Sequence, residues 1–486
     1  MIVINIDSSN KNIIKASVWS FAAEIAAKTV SPLVFLVMTR LLSPEDFGVV
    51  AIATTVIGLV NIVNDLGISK IIIHDDSDEI RRCRLNNVAF WFNLIFGIIL
   101  NAVVIFYADE IAILYGNVEA KNIIIAMSMQ IILFSISSVQ NANKRKTLEF
   151  KSLFFIRFIA TCLPALISIP FAFMGFGIWA LISGQIANSL ANTSMLWLTS
   201  GWRPSLSFDF NLLRSVLSKS IWSTLESLIV YVPVVLDTYL ITKNISFHAL
   251  GLYSTSRSLF TVVSSLCFAP IFPVLFSALS LIRNDCLRFK QSILVAQKLV
   301  FTASIIIGTG VFVFRKPIEL LVFNIKWQGV SEVFGIIFLM LSLENFSSVL
   351  VEGYRAKGKF RLLALNQGIY VVITIPLLYY AASYGLMTYV WIRILSLFLL
   401  YPCYLIYSKK NFLITVNEYL INTRNVWLFM AAVVIASITI EYLKLDTAIE
   451  YTSKLIAYTI LLLGFMSVER AKIIYLRNLI CKKVNI

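Results

Sequence analysis

Runs of mostly apolar residues, each about twenty or more long, recur along the whole chain between short polar stretches. A run of about 20 such residues crosses about 30 Å of hydrocarbon as a helix. By that measure 14 segments are predicted to span a membrane: 16–38, 47–69, 86–108, 118–140, 153–173, 176–198, 215–241, 250–282, 292–314, 329–351, 362–382, 385–407, 425–443 and 450–470. Lipid offers backbone amides no partner, so helices are predicted and open strands are not. Segments 215–241 and 250–282 are longer than a span requires, and a tilt or a bend at Pro233, Pro270 or Pro273 is expected. The first segment holds Glu24 and Lys28 and lacks a small-residue cleavage site, so it reads as a retained helix and not a signal peptide. The connections are short and polar. Function is therefore expected inside the helix bundle.

The pattern repeats at an offset of 203 residues. Ser17-Val18-Trp19-Ser20 recurs as Ser220-Ile221-Trp222-Ser223. Thr39-Arg40-Leu41-Leu42-Ser43 recurs as Thr242-Lys243-Asn244-Ile245-Ser246, and Gly48 as Gly251. Six helices separate the copies, and an even number gives both the same orientation in the membrane. The expected fold is an all-α polytopic membrane protein of about 14 transmembrane helices, built from two parallel-repeat six-helix lobes. The lobes are 1–214 and 215–424, and an accessory helix pair with a basic tail occupies 425–486.

Composition agrees with this reading. Of 486 residues, 59% are apolar and 14% charged, where a soluble domain carries about 25% charged residues. A cytosolic enzyme, a secreted domain and a disordered scaffold are thereby excluded. The net charge of +15 would suggest nucleic acid in a soluble chain. Here the basic residues sort by loop: 27 lie on one side, including Arg81, Lys144, Arg145, Lys357 and the tail, against six on the other. Such a bias places both termini in the cytoplasm and makes nucleic acid an unneeded partner. Three of the six outward positives, Arg315, Lys316 and Lys326, crowd the stretch 315–328, the weakest point of this topology. Six scattered cysteines without a CxxC indicate neither a zinc site nor a disulfide framework. With His74 and His248 the only histidines, imidazole catalysis and a histidine metal site are not expected. Gly353-Tyr354-Arg355-Ala356-Lys357-Gly358-Lys359 has phosphate-loop spacing, but Phe360 follows and no strand precedes. No nucleotide site is expected.

The stretch Thr39-Arg40-Leu41-Leu42-Ser43-Pro44-Glu45-Asp46-Phe47-Gly48, with Asp65-Leu66-Gly67 after it, resembles the start of the bacterial oligosaccharide flippases. These are the Wzx-type polysaccharide-export proteins of the multidrug/oligosaccharidyl-lipid/polysaccharide superfamily. The resemblance implies two six-helix lobes with two extra helices in the bacterial inner membrane. It also implies transport of a polyprenyl-diphosphate-linked oligosaccharide from the cytoplasmic to the outer leaflet, for O-antigen, capsule or exopolysaccharide assembly. A polysaccharide polymerase and chain-length machinery would be partners. No catalytic residue carries over.

Ionisable groups inside a bilayer are costly and face a wet cavity or a partner. Glu24 and Lys28 form an i, i+4 pair on the first helix. They are either a cavity wall, with Lys28 meeting the diphosphate, or a self-neutralising pair. Glu226 and Asp237 form a stripe on the seventh helix, and Arg257 on the eighth is the leading phosphate ligand, because a guanidinium fork matches phosphate geometry. The alternative for Arg257 is a pair with Asp237 or Glu226. Glu344 and Arg393 could pair with each other, while Arg157 and Lys298 lie close enough to the cytoplasm to snorkel. Gln185, Asn188 and Asn192, with Gln130, either bond sugar hydroxyls or join helices. Asn61, Asn64 and Asp65 read as a helix junction.

These features predict a transporter working by alternating access, coupled, if to an ion gradient, to Na+ or H+ at Glu24, Glu226 or Asp237. No other cofactor and no metal is expected. A drug/cation antiporter of the same superfamily would favour an acidic, aromatic cavity, whereas the bilayer charges here include as many positives as negatives. A glycan polymerase or ligase would be expected to carry a large outward loop, which is lacking.

Overall fold

The computed structural model describes residues 33–75, 78–147, 149–268, 270–443 and 445–481, and among these it is helical with no strand. By packing it divides into two compact units, Met1–Thr255 and Ser256–Ile486. The first holds α1 (Pro44–Asp65), α2 (Ile68–His74), α3 (Glu79–Phe106), α4 (Ala108–Leu114), α5 (Ala120–Lys146), α6 (Phe150–Phe173), α7 (Ile178–Thr199) and α8 (Phe210–Asn244). The division falls inside α9 (Phe247–Cys267). The second continues with α10 (Ile271–Leu281), α11 (Cys286–Val313), α12 (Arg315–Val322), α13 (Val330–Ala356) and α14 (Phe360–Ala382). It ends with α15 (Leu386–Leu395), α16 (Tyr401–Phe412), α17 (Val416–Tyr442) and α18 (Thr447–Cys481).

Eleven helices among the described residues are long and apolar enough to span, or twelve with α9 and α10 taken as one broken span. The predicted segment 176–198 forms α7, which has the length, but Gln185, Asn188 and Asn192 lower its hydropathy. The segment 16–38 lies mostly outside the described residues, and Glu24 and Lys28 with it. The count of fourteen is therefore not reached on length and composition. Of the two overlong runs, 215–241 extends through Pro233 into the 35-residue α8, whereas 250–282 breaks between Cys267 and Ile271, with a bend of 47°.

The order of elements repeats. α1 and α9 begin 203 residues apart, and so do α2 and α10, each following a break near the end of the preceding helix. Capping explains the shared start. Ser43 Oγ accepts from the Asp46 amide while Asp46 Oδ2 accepts from the Ser43 amide, a closed capping box with Pro44 in the first turn. In the second copy Ser246 Oγ accepts from the Ala249 amide at 3.0 Å. The motif from Thr39 to Gly48 is thus a helix-start signal with a purpose at its end: α1 and α9 cross at the duplicated glycines. A Cβ on Gly48 would lie 2.5 Å from the Phe247 carbonyl oxygen, and one on Gly251 would lie 1.8 Å from that of Pro44. Small residues let helix backbones approach closely in lipid. Beside the crossing, Glu45 and His248, again 203 apart, pair at 2.7 Å.

In the second unit, buried charges join the last two helices to the bundle at two levels. Arg315 Nη2 lies 2.6 Å from Glu441, and Lys454 Nζ lies 2.5 Å from Glu441 and 2.7 Å from Glu450. Glu332 and Lys316 complete this cluster, at 3.4 Å from Arg315 and 3.6 Å from Glu450. Two of the three positives that weaken the predicted topology at 315–328 are therefore neutralised by carboxylates. At the second level Lys298 pairs with Glu469 at 2.5 Å, and Asn425 donates to the same carboxylate. Lys298 does not snorkel, because a buried partner is already within reach.

The phosphate-loop look-alike is the end of α13. Tyr354 is buried and donates to the Tyr404 carbonyl oxygen at 2.6 Å, Lys357 donates to the Asn411 carbonyl, and Gly358 turns with φ +70.

Candidate functional site

Each unit holds a polar site of its own. In the first, α5, α6 and α7 enclose a pocket of about 360 Å³, whose polar lining includes Gln130, Thr161, Gln185, Asn188 and Ser189 and whose apolar wall includes Phe35 and Met38. Gly184 permits this geometry, since a Cβ there would lie 1.9 Å from Ser168 Oγ on α6. Thr193 and Trp197 fix α7 against α5 by donating to the Leu133 and Ile136 carbonyls, at 3.1 and 3.2 Å. Ser189 Oγ lies 3.3 Å from Gln130 Oε1, while Gln130 Nε2 is buried with no partner among the described residues. A buried amide N–H without an acceptor is costly. The pocket thus offers amide donors and acceptors beside an aromatic ring, and no charge. That chemistry suits hydroxyl-rich molecules.

In the second unit the charges gather around Glu344 on α13. Arg257 on α9 reaches it from one side, with Nη1 3.7 Å from Oε1, and both side chains are about one-third exposed. A separation of 3.7 Å is an ion pair without a hydrogen bond. The guanidinium also touches Met340 Sδ at 3.2 Å and lies over the Phe260 ring at 5.2 Å. Arg257 is therefore positioned while part of its planar donor edge stays open. Arg393, at the end of α15, lies within electrostatic reach of Glu344 but is buried, donates to the Tyr370 hydroxyl and lies over the same ring.

Tyr401 connects this cluster to an apolar groove. Its hydroxyl donates to the Leu343 carbonyl at 2.5 Å, and its ring lies within electrostatic reach of Glu344. The same ring lines a groove of about 770 Å³ together with Phe346, Phe398, Leu405, Leu420 and Trp427.

The sequence-predicted residues divide accordingly. Gln185 and Asn188 share one pocket, and Arg257 and Arg393 flank one carboxylate. Arg257 forms its ion pair with Glu344. Asp237 is buried in the first unit and accepts from the Tyr253 hydroxyl at 2.7 Å, while Glu226 is exposed on α8. The two carboxylates of α8 therefore differ in setting, one buried and bonded and the other exposed. Asn64 is fully buried and donates to Ser135 Oγ at 2.7 Å, as a helix junction requires. No group of histidine, cysteine and carboxylate side chains suited to a metal occurs among the described residues.

A family model described as "Polysaccharide biosynthesis protein" matches residues 37–332. The chain is similar to the succinoglycan biosynthesis transport protein ExoT of Rhizobium meliloti (strain 1021), 23% identical over 325 residues. That alignment covers 66% of this chain and 65% of the relative, slightly under two thirds of its length. It is also similar to the lipopolysaccharide biosynthesis protein WzxC of Escherichia coli (strain K12), 22% identical, covering 72% of this chain and 71% of that one. In three dimensions it resembles the lipid II flippase MurJ in an inward closed conformation, with a TM-score of 0.74 at 15% identity. That likeness covers 95% of this chain and all of the other. An inward-facing multidrug resistance MATE transporter follows with a TM-score of 0.66 at 15% identity, over 79% of this chain and 94% of its own. The chain thus shares its fold with these two transporters.

Proposed function

The chain belongs to the polysaccharide biosynthesis protein family, and on that premise we propose that it carries a polyprenyl-diphosphate-linked oligosaccharide across the bacterial inner membrane. The direction in this reading is from the cytoplasmic to the outer leaflet, by alternating access, with both termini in the cytoplasm. Sugars and a diphosphate do not cross hydrocarbon unaided, because stripping water from them costs several kcal/mol per polar group. A carrier must replace that water while leaving the prenyl chain in an apolar setting.

The observation that carries the reading is the open guanidinium of Arg257. In this mechanism it exchanges its loose contact with Glu344 for phosphate oxygens, and Glu344 in turn competes for the guanidinium so that the cargo can leave. A ligand shifts a two-state carrier only by its differential affinity for the two states. The groove lined by Tyr401 supports the prenyl half of the proposal, and the amide pocket of the first unit has by itself the chemistry to bond sugar hydroxyls. Two arginines around one carboxylate favour an anionic cargo over the cationic drugs of an antiporter. A coupling cation, Na+ or H+, would bind a carboxylate of the bundle.

Arg257→Gln is expected to lower translocation of labelled lipid-linked oligosaccharide in reconstituted vesicles by about tenfold or more, the worth of a charge-assisted hydrogen bond or two. Arg257→Lys should restore only part of it, since a point charge cannot make the bidentate contact. Unchanged flux in Arg257→Gln, with normal insertion, removes this residue from the mechanism.

A further inference from the structure

The motif Asp65-Leu66-Gly67 ends α1 in a conformation that needs a reason. Leu66 takes φ 43 and Gly67 φ 70, so two successive residues are left-handed and the first has a side chain. A branched residue in that region costs about 1–3 kcal/mol and points to a local requirement. The reversal separates α1 from α2 and sets Ser69 and Lys70 on the rim of a pocket of about 320 Å³ between α1, α2, α5 and α8. That is the small end of the size range of ligand pockets, about 300–1,000 Å³.

The chemistry of the lining is specific. Lys70 is exposed and makes a weak contact, at 3.4 Å, with Ser227 Oγ of α8. Arg145 closes the other side and donates to Asn141 Oδ1 at 3.1 Å. Its neighbours are committed elsewhere. Lys144 is buried against Glu149, Ser152 and the Thr199 carbonyl, and Lys146 donates to the Asp75 carbonyl. Of these three consecutive cations, only Arg145 lines the pocket. The acidic member, Asp65, already accepts from the Ser69 hydroxyl and lies within electrostatic reach of Lys70. The pocket keeps a net positive charge with two cations on its rim. Deeper inside, Asn61 Oδ1 is buried without a donor among the described residues. Cations at the mouth and an unsatisfied acceptor within match a phosphorylated sugar, whose phosphates are anionic and whose hydroxyls donate.

We propose that this pocket is a loading site that receives the sugar-diphosphate headgroup at the cytoplasmic end of the first unit, before it meets Arg257. Lys70 and Arg145 grip phosphate oxygens, and a sugar hydroxyl donates to Asn61. The proposal rests on the transport reading above.

The test uses the full-length protein in phosphatidylcholine nanodiscs with Ser227→Cys as a reporter. N-ethylmaleimide labelling of the peptide containing position 227 is read by mass spectrometry, so the native cysteines stay in place. Inorganic pyrophosphate is expected to slow labelling about tenfold, and Lys70→Gln with Arg145→Gln to abolish the protection. Lys70→Arg should preserve it, which guards against a misfolded double variant. Polyprenyl diphosphate in the nanodisc should protect as well. Equal protection by sulfate or by phosphatidylglycerol would reveal a general anion surface and overturn the proposal. Protection by free pyrophosphate but not by the prenyl-linked form would assign the pocket to soluble phosphates and also overturn it. If position 227 labels at the same rate throughout while Arg257→Gln stops transport, the pocket falls and the transport reading stands. If protection holds while Arg257→Gln transports normally, the failure lies in the other site.

Discussion

Methionine in place of Lys454 is expected to lower the unfolding free energy by about 3–5 kcal/mol, the cost of removing one partner from a buried ion pair. Lys454 is 2% exposed and stands between Glu441 and Glu450. Without it, Glu450 keeps Lys316 at 3.6 Å, and Glu441 keeps Arg315 at 2.6 Å with Lys316 within electrostatic reach. The thermal midpoint of the purified protein, followed by tryptophan fluorescence in detergent, should fall by several degrees. Adding Glu450→Gln to the methionine variant should recover part of the loss, because the second change removes the stranded charge. A single variant as stable as the parent would show that Lys454 is not a clamp for the last two helices. The pair counts as a clamp because breaking it is costly. Replacing the whole cluster with matched apolar side chains could be neutral.

The second large effect concerns a residue with no side chain. Alanine for glycine in an exposed helix interior usually stabilises by about 1 kcal/mol. At Gly251 the sign should reverse, since the new methyl would lie 1.8 Å from the Pro44 carbonyl oxygen, which belongs to backbone and cannot swing aside. The helices must separate, and such overpacking costs about 1–3 kcal/mol or more. Gly368 in α14 is the internal control, because a Cβ there meets nothing within 4 Å. Gly368→Ala should leave the thermal midpoint equal or raised while Gly251→Ala lowers it. Equal behaviour of the two variants would refute the close crossing of α1 and α9.

Much of the fold is legible in the chain because hydropathy over twenty residues is a strong signal. The long described helices lie where apolar runs predict them, and the duplication is readable from matched residues 203 apart. What escapes is short. α2, α4 and α12 have seven, seven and eight residues, too few to stand out from the loops that flank them. The site was legible as parts and not as pairs. Arg257, Glu344 and Arg393 are each conspicuous in an apolar run, but which carboxylate meets which cation depends on how helices rotate, and periodicity does not fix that. Gln185 and Asn188 share a pocket because they lie three residues apart on one helix face, a relation a sequence does reveal. Glu450 and Lys454 stand at i, i+4 spacing in the last predicted segment, a signal of a pair that spacing alone does not extend to Glu441. The left-handed turn at Leu66 had no sequence signature beyond the glycine after it.

The cluster around Arg315 also has a consequence for the order of events at the ribosome. Arg315 and Lys316 are synthesised more than a hundred residues before the carboxylates of Glu441 and Glu450 that neutralise them. Until the final hairpin emerges, Arg315 can meet Glu332 but not Glu441, and Lys316 cannot meet Glu450. A ribosome stalled before residue 416 would therefore present a half-made protein whose Arg315 and Lys316 lack two of their carboxylates, and the last hairpin acts as the late clasp that completes the cluster.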